Sequence, residues 1–198
     1  MAHMTTTTVR TRPLAATDIA HVAVFAALLA ALSLLPAIPV GSAGVPITLQ
    51  TLGVALCGLC LGPVRGFAST LLYVVAGLAG LPVLAGGAAG LAVLAGPTAG
   101  YLLSFPLVAL ACGFVASRVI RRGIGRATVV WLFLGVVAAR FLITLPLGLL
   151  GLVRALGITV GQALVIDMAY WPGDLIKAAV AAVLAVGVHK AFPRLLRR

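Results

Sequence analysis

Long apolar runs, separated by short basic connections, constrain this chain more than any other feature of its sequence. Of the 198 residues, 63% are hydrophobic and 9% are charged, whereas a soluble domain is usually about 45–50% apolar and about 25% charged. A water-soluble chain of this length cannot cover so much apolar surface with so few charges. The sequence therefore predicts an integral membrane protein surrounded by membrane lipid, and its length predicts one domain.

The apolar runs are long enough to cross a bilayer as helices. A hydrocarbon core of about 30 Å needs about 20 helical residues, and backbone groups in lipid must be hydrogen-bonded within the protein, which excludes open strands. We therefore predict an all-α bundle of six transmembrane helices within residues 13–198, preceded by a disordered tail at 1–12. The predicted spans are Ile19–Leu35, Ile47–Leu61, Gly66–Leu81, Thr98–Ser117, Ala127–Leu150 and Gly173–Lys190.

The placement of basic residues predicts how this bundle is oriented. With six spans, 11 of the 14 Lys and Arg residues lie on one side, whereas an odd number of spans would distribute them over both sides. Because Lys and Arg accumulate in cytoplasmic loops, we expect both termini to lie in the cytoplasm and the protein to reside in the cytoplasmic membrane. The net charge of +11 then reflects orientation, and we predict no nucleic acid partner.

The connections on the other side are longer and almost uncharged. Pro36–Pro46 (loop one) is rich in proline and glycine, and Gly80–Gly100 (loop three) is rich in glycine. Gly151–Pro172 (loop five) contains Arg154 and Asp167. Loops of this length are usually functional or disordered, and these are too apolar for disordered linkers. We expect them, loops one and three above all, to fold over the outer mouth of the bundle and cap a ligand pocket.

Charged residues inside apolar segments are costly to bury and tend to be functional. Asp174 and Lys177 lie three residues apart at the start of the last span, so they share one helix face. One interpretation is an ion pair at the positive end of the helix. The other is a polar anchor for a ligand, because a carboxylate accepts from N–H groups and an ammonium binds carboxylates. Arg140, near the middle of span five, fits a counter-ion for Asp174 or Asp167, or a second anion anchor.

No motif for catalysis or metal binding accompanies these charges. The sequence lacks HExxH, a GxSxG nucleophile elbow and a phosphate-binding lysine loop, so we predict no enzyme, no cofactor and no metal site. Cys57 and Cys60 form a lone CxxC, which we interpret as two small side chains packed in a membrane helix.

Small residues line one face of the first span. Ala23, Ala27 and Ala31 repeat every four residues, a spacing that lets a second helix approach closely. Two interpretations stay open, namely packing inside the bundle and docking of a partner membrane protein.

Three stretches resemble the BioY family, the biotin-specific substrate-binding (S) components of energy-coupling-factor (ECF) vitamin transporters. They are residues 46–53 (PITLQTLG), residues 80–87 with 96–102 (GLPVLAGG and GPTAGYL), and residues 171–177 (WPGDLIK). The resemblance implies a six-helix bundle that binds biotin from outside with high affinity, beneath loops one and three. It also implies that uptake is powered by a separate module of one transmembrane coupling subunit and two ATPase subunits.

The resemblance further implies roles for individual residues. Asp174 and Lys177 match the polar binding residues of the family in span six. We assign Asp174 to the ureido N–H groups of biotin and Lys177 to its carboxylate, with the reverse assignment open. The Ala23 and Ala27 face matches the surface that docks the coupling subunit. The remaining pocket candidates are Gln50, Gly86, Gly87, Thr98 and Tyr101. The alternatives are an S component for a different small vitamin and a membrane-embedded enzyme.

Overall fold

The computed structural model describes residues 16–38, 44–193 and 195–196. The predicted tail at 1–12 lies outside these ranges. Within them the regular structure is helical, apart from one isolated antiparallel bridge between Ile38 and Ile47. The helices are α1 (Ala16–Leu34), α2 (Gln50–Leu61), α3 (Pro63–Leu78), α4 (Ala99–Arg121), α5 (Thr128–Ala139), α6 (Leu145–Leu156), α7 (Val160–Met168) and α8 (Trp171–Ala191).

Four of the described helical segments are long and apolar enough to cross a membrane. They are α1, α4, α8 and the continuous rod Thr128–Leu156, in which a π-helical turn joins α5 to α6. α2 and α3 are apolar but have only 12 and 16 residues. A helix needs about 20 residues to cross a bilayer core. The prediction of an all-helical membrane protein is confirmed. The count of six spans depends on α2 and α3 and stays a prediction.

α2 lies at the centre of the bundle, where it packs against α1, α3, α4 and α8. Every residue from Gly53 to Leu61 is buried, as expected for a helix that is apolar on all sides. Gly58 allows α4 to approach closely, because a Cβ at this position would lie 2.3 Å from the carbonyl oxygen of Ala109. Cys57 and Cys60 are free thiols buried in this helix, in agreement with the packing role predicted for them.

Loop five is the region where the fold departs most from the sequence prediction. Much of Gly151–Pro172 is helical, because α6 continues to Leu156 and α7 follows after a short turn. Gly157 ends α6 with a φ of 66°, a left-handed conformation that glycine adopts without strain. Thr159 and Gln162 then form a reciprocal capping box at the start of α7. Loop three contains two short 3₁₀ turns, Ala85–Gly87 and Leu91–Ala95.

One end of the bundle collects most of the basic residues. Arg65 at the start of α3 pairs with Asp18 in α1, with 3.2 Å between Nη1 and Oδ1, and donates to the carbonyl of Leu195 beyond α8. Gly113 in α4 packs against Gly62 between α2 and α3. These contacts bring together the start of α1, the α2–α3 turn and the ends of α4 and α8. We call this the basic end, and its described cations are Arg65, Arg118, Arg121, Arg122, Arg126 and Lys190.

Candidate ligand-binding site

A cavity of about 330 Å³ lies at the opposite end of the bundle. Its walls come from residues 44–48 at the end of loop one and just after it, the start of α2, loop three, the start of α4, the π-turn and the start of α8. Pockets for small molecules usually have volumes of about 300–1,000 Å³. The cavity therefore has the size and the mixed apolar and polar lining of a small-molecule site.

Four charged side chains form what we call the charge cluster, of which Arg140, Asp174 and Lys177 line the cavity and Asp167 is buried next to Arg140. Arg140 donates from Nε to Asp174 Oδ2 at 2.6 Å, and from Nη2 to both carboxylate oxygens of Asp167 at 2.9 and 2.8 Å. Lys177 Nζ lies 2.7 Å from Asp174 Oδ1 and donates to the carbonyl of Thr48 at 3.1 Å. Two acids and two bases give the charge cluster no net charge.

Asp167 is completely buried and fully hydrogen-bonded. Besides Arg140, the hydroxyl of Tyr101 donates to Oδ1 at 2.7 Å and the indole Nε1 of Trp171 donates to Oδ2 at 2.8 Å. A carboxylate offers about four lone-pair sites, and these contacts occupy all of them. Asp167 thus fixes the position of Arg140 and has no acceptor left for a ligand.

Arg140 is presented by the π-helical turn Arg140–Thr144. The N–H of Leu145 bonds to the carbonyl of Arg140, five residues earlier. Pro146 follows directly, has no N–H of its own and cannot donate to the carbonyl of Leu142. The proline therefore explains why the helix widens at this point. Such turns occur frequently at functional sites, and here the turn places a guanidinium between two acids from other elements.

The segment of residues 45–48, which joins loop one to α2, is held to the start of α8 by two hydrogen bonds. The hydroxyl of Tyr170 donates to the carbonyl of Val45 at 2.8 Å, and Lys177 donates to the carbonyl of Thr48. Thr51 at the start of α2 completes the connection, because its hydroxyl donates to Asp174 Oδ1 at 3.2 Å. Residues 45–48 and the start of α2 are therefore fastened to the start of α8, which supplies Asp174 and Lys177 to the charge cluster.

Gln50 contributes a second polar group to the cavity wall. Its amide nitrogen donates to the hydroxyl of Tyr73 at 2.6 Å, and its amide oxygen accepts from the hydroxyl of Thr48 at 3.0 Å. Both Gln50 and Tyr73 are buried. These partners hold the amide in one orientation at the edge of the cavity.

The sequence-predicted pocket residues divide into two groups. Those that line the cavity are Gln50, Thr98, Tyr101, Asp174 and Lys177. Gly86 and Gly87 do not line it, although their neighbours Ala85 and Ala88 do. Both glycines have positive φ angles, 65° and 78°, so their glycine identity serves the backbone turn. Sequence reasoning missed the lining residues Thr48, Thr51 and Tyr170, which lie within or next to the stretches that carry the family resemblance.

The alanine face of α1 points away from the bundle. Ala23 and Ala27 are exposed, whereas the buried residues of α1 are Ala26, Leu29 and Ser33. The interpretation that these alanines pack inside the bundle is therefore wrong. Docking of a partner on this face stays a prediction.

Comparison with known proteins places the chain in a family. The sequence model described as the BioY family matches residues 4–194. The chain belongs to the BioY family. Since four described helical segments are long and apolar enough to cross a bilayer, it is a multi-pass protein of the cell membrane.

Named relatives and a solved structure agree with this assignment. The chain is 38% identical to the biotin transporter BioY of Rhizobium etli, over 91% of this chain and 97% of that protein. It is also 38% identical to the probable biotin transporter BioY of Bacillus subtilis, over 88% of this chain and 91% of that protein. The crystal structure of the S-component for biotin from an ECF-type ABC transporter matches with a TM-score of 0.81 at 28% identity, covering 88% of this chain and 91% of that one.

Proposed function

We propose that this BioY-family chain is a high-affinity biotin-binding S component, which mediates biotin uptake across the cytoplasmic membrane and is powered by a separate ECF ATPase module. The observation that carries the proposal is the charge cluster on the wall of a cavity of about 330 Å³. A neutral set of buried donors and acceptors suits recognition of a polar small molecule. The function is binding and transport rather than catalysis.

Six membrane crossings suit this function. In this arrangement α2 and α3 cross as short helices beside α1, α4, the α5–α6 rod and α8, and α7 lies in the last outer connection. The placement of the basic residues supports this arrangement, because an even number of crossings keeps 11 of the 14 Lys and Arg residues on one side. Because basic residues favour the cytoplasm, the basic end faces inward and the cavity, with loops one and three, faces outward.

The contact between Asp174 and Lys177 limits how biotin can bind. The ureido ring and the carboxylate of biotin lie at opposite ends of the molecule, separated by a carbon chain. Asp174 Oδ1 and Lys177 Nζ are only 2.7 Å apart, so the two residues cannot serve opposite ends without separating. Asp174 and Lys177 therefore act on the same end of the ligand.

The charge balance indicates which end this is. Adding a carboxylate to a neutral buried cluster leaves an uncompensated negative charge, which is costly, whereas a urea adds none. After the contacts above, Asp174 retains about one acceptor site, Lys177 retains one N–H, and Nη1 of Arg140 is buried without a hydrogen-bond partner among the described residues. A urea, with one carbonyl oxygen and two N–H groups, matches this mixture. We place the ureido ring at the charge cluster and the carboxylate away from it.

Equilibrium binding of biotin to the detergent-purified protein tests the proposed function. We expect a dissociation constant well below micromolar, with other vitamins binding far more weakly. Absence of biotin binding below micromolar, together with tight binding of another vitamin, would instead identify an S component for that vitamin. Absence of all binding would end the transporter proposal.

Biotin methyl ester tests the orientation of the ligand. Its loss of affinity relative to biotin is expected to be the same in the wild type and in Lys177→Met, because Lys177 does not contact the carboxylate. Lys190→Met, at the other end of α8, is the matched control. If the loss disappears only in Lys177→Met, then Lys177 binds the carboxylate and the orientation is reversed.

The exposed Ala23 and Ala27 face of α1 is our proposed docking surface for the coupling subunit. Ala27→Trp is expected to block assembly with the ECF module while biotin binding stays unchanged, which co-purification and a binding assay measure together. Val183→Trp, at an exposed position of α8, is the control and should assemble normally. Normal assembly of Ala27→Trp would place the docking surface elsewhere.

A further inference from the structure

A second cavity, of about 500 Å³, lies at the basic end between the end of α4 and the start of α5. We call it the α4–α5 groove. Its apolar walls include Phe114, Val115 and Trp131, and its rim carries Arg118 and Arg122. Phe114 is 52% exposed and Trp131 is 58% exposed. The groove therefore combines an apolar surface with a positively charged edge.

Within the part of the chain that the structure describes, the arginines of the rim have no carboxylate partner. The sequence contains three acidic residues, and all three form ion pairs elsewhere. Asp18 pairs with Arg65, whereas Asp167 and Asp174 belong to the charge cluster at the opposite end. The contact that the structure gives Arg118 is with an aromatic ring, since its guanidinium carbon lies 3.4 Å from the ring centroid of Phe114. The counter-ions for this rim must therefore come from outside the side chains of this protein.

The depth of the groove indicates where those counter-ions are. α4 has 23 residues and so is about 34 Å long, which places Arg118 and Arg122 at the level where a bilayer core meets its headgroups. Phe114 lies one helical turn deeper than Arg118. Trp131 stands on the opposite wall, and tryptophan is enriched at this level of membrane proteins. The cationic rim thus lies at headgroup level and the apolar walls extend towards the acyl chains.

We propose that the α4–α5 groove is a specific site for an anionic phospholipid. Arg118 and Arg122 bind its phosphate, and the walls formed by Phe114 and Trp131 hold an acyl chain. Basic pockets between transmembrane helices bind anionic headgroups in this way, and arginine suits phosphate because its planar guanidinium can donate two parallel hydrogen bonds. This site is independent of the cavity that holds the charge cluster.

Native mass spectrometry of the full chain in detergent, titrated with phosphatidylglycerol or phosphatidylcholine, tests the proposal. We expect the wild type to retain one phosphatidylglycerol in preference to phosphatidylcholine. The double variant Arg118→Gln with Arg122→Gln should bind phosphatidylglycerol about 30-fold more weakly, because each arginine near an anionic lipid contributes about a fivefold factor. Biotin binding should be unchanged in this variant, which shows that it is folded.

The matched control is Arg121→Gln with Arg126→Gln, which removes the same charge from the same connection outside the groove. It should retain phosphatidylglycerol like the wild type. Equal weakening in both double variants would overturn the proposal in favour of diffuse attraction to the basic end. Equal retention of phosphatidylcholine, or displacement of the lipid by soluble glycerol phosphate, would also overturn it. If the groove variant loses only assembly with the ECF module, then the groove belongs to a protein partner.

Discussion

At the cavity end, Arg140 is buried, Lys177 is largely buried, and each contacts a carboxylate. At the basic end, Arg118, Arg121 and Arg122 are exposed, and none of them forms an ion pair with a carboxylate among the described residues. Basic side chains therefore have different roles at the two ends of the bundle. A buried charge is costly unless its partners are held in place, so the cavity end has a fixed geometry. An exposed charge depends little on its neighbours, so the basic end sets orientation in the membrane.

Removing Arg140 should produce the largest difference in stability between a cavity-end variant and a basic-end variant. Arg140→Gln leaves Asp167 buried without a counter-ion, which should destabilise the fold by about 3–5 kcal/mol and abolish biotin binding. Thermal unfolding in detergent measures the first effect. Arg126→Gln at the basic end is the control and should change stability by less than about 0.5 kcal/mol.

A charge-balanced double variant separates electrostatics from packing in this region. Arg140→Gln with Asp167→Asn leaves Asp174 and Lys177 as a neutral pair, so it should recover part of the stability lost in Arg140→Gln. If the double variant is as unstable as the single one, the loss comes from packing and not from the unpaired acid.

The next largest effect concerns the residues that we place at the ligand. Asp174→Asn and Lys177→Ala should each cost about 2–4 kcal/mol of binding free energy, or roughly 30- to 1000-fold in affinity. Isothermal titration with biotin measures this loss. Lys190→Ala, on the same helix at the basic end, should leave the affinity unchanged. Unchanged affinity in both cavity-end variants would move the site elsewhere.

A smaller effect should follow from changing the backbone that positions Arg140. Pro146→Ala restores an N–H that can bond to the carbonyl of Leu142, so the widened turn can relax to a regular α-helix. We expect about tenfold weaker biotin binding, equivalent to about 1.4 kcal/mol, with stability retained or raised. Pro106→Ala, in the interior of α4, is a control that leaves the π-turn intact. Unchanged affinity in Pro146→Ala would show that Arg140 does not need the turn.

The smallest effect should come from the ion pair of the basic end. Asp18→Asn removes the carboxylate that contacts Arg65 at 3.2 Å. The side chains of Arg65 and Asp18 are 11% and 22% exposed, but Arg65 also donates to the carbonyls of Leu61 and Leu195. Arg65 therefore keeps two acceptors in the variant, and we expect a loss of about 1 kcal/mol. Thermal unfolding should therefore change far less than in Arg140→Gln. A loss of stability as large as that of Arg140→Gln would mean that ion pairs stabilise the two ends equally.

The difference between the two ends also explains which features the sequence could predict and which it could not. Apolar run length and arginine placement are local properties, and they predicted the helical membrane fold. The spacing of Asp174 and Lys177 is also local, and the structure brings both to the cavity wall. The partners of Arg140 are not local, because they come from α7 and α8, and the sequence left three roles open for this residue.

Two features were missed for identifiable reasons. A search for membrane spans does not find α7, because its nine residues are too few to cross a bilayer, although Thr159 and Gln162 are a capping signal. The π-turn was also missed, although Pro146 inside an apolar run indicates a helix irregularity. Both features are needed to bring Asp167 and Arg140 together, so the charge cluster was not predictable as a unit.

The fastening of residues 45–48 to the start of α8 has a kinetic consequence. Val45 and Thr48 accept hydrogen bonds from Tyr170 and Lys177, so moving this segment away from the cavity breaks both bonds. Lys177 is also one of the residues that we place at the ligand. Displacement of residues 45–48 and release of the ligand are then coupled events, and the residence time of the ligand is governed by the lifetime of these two hydrogen bonds.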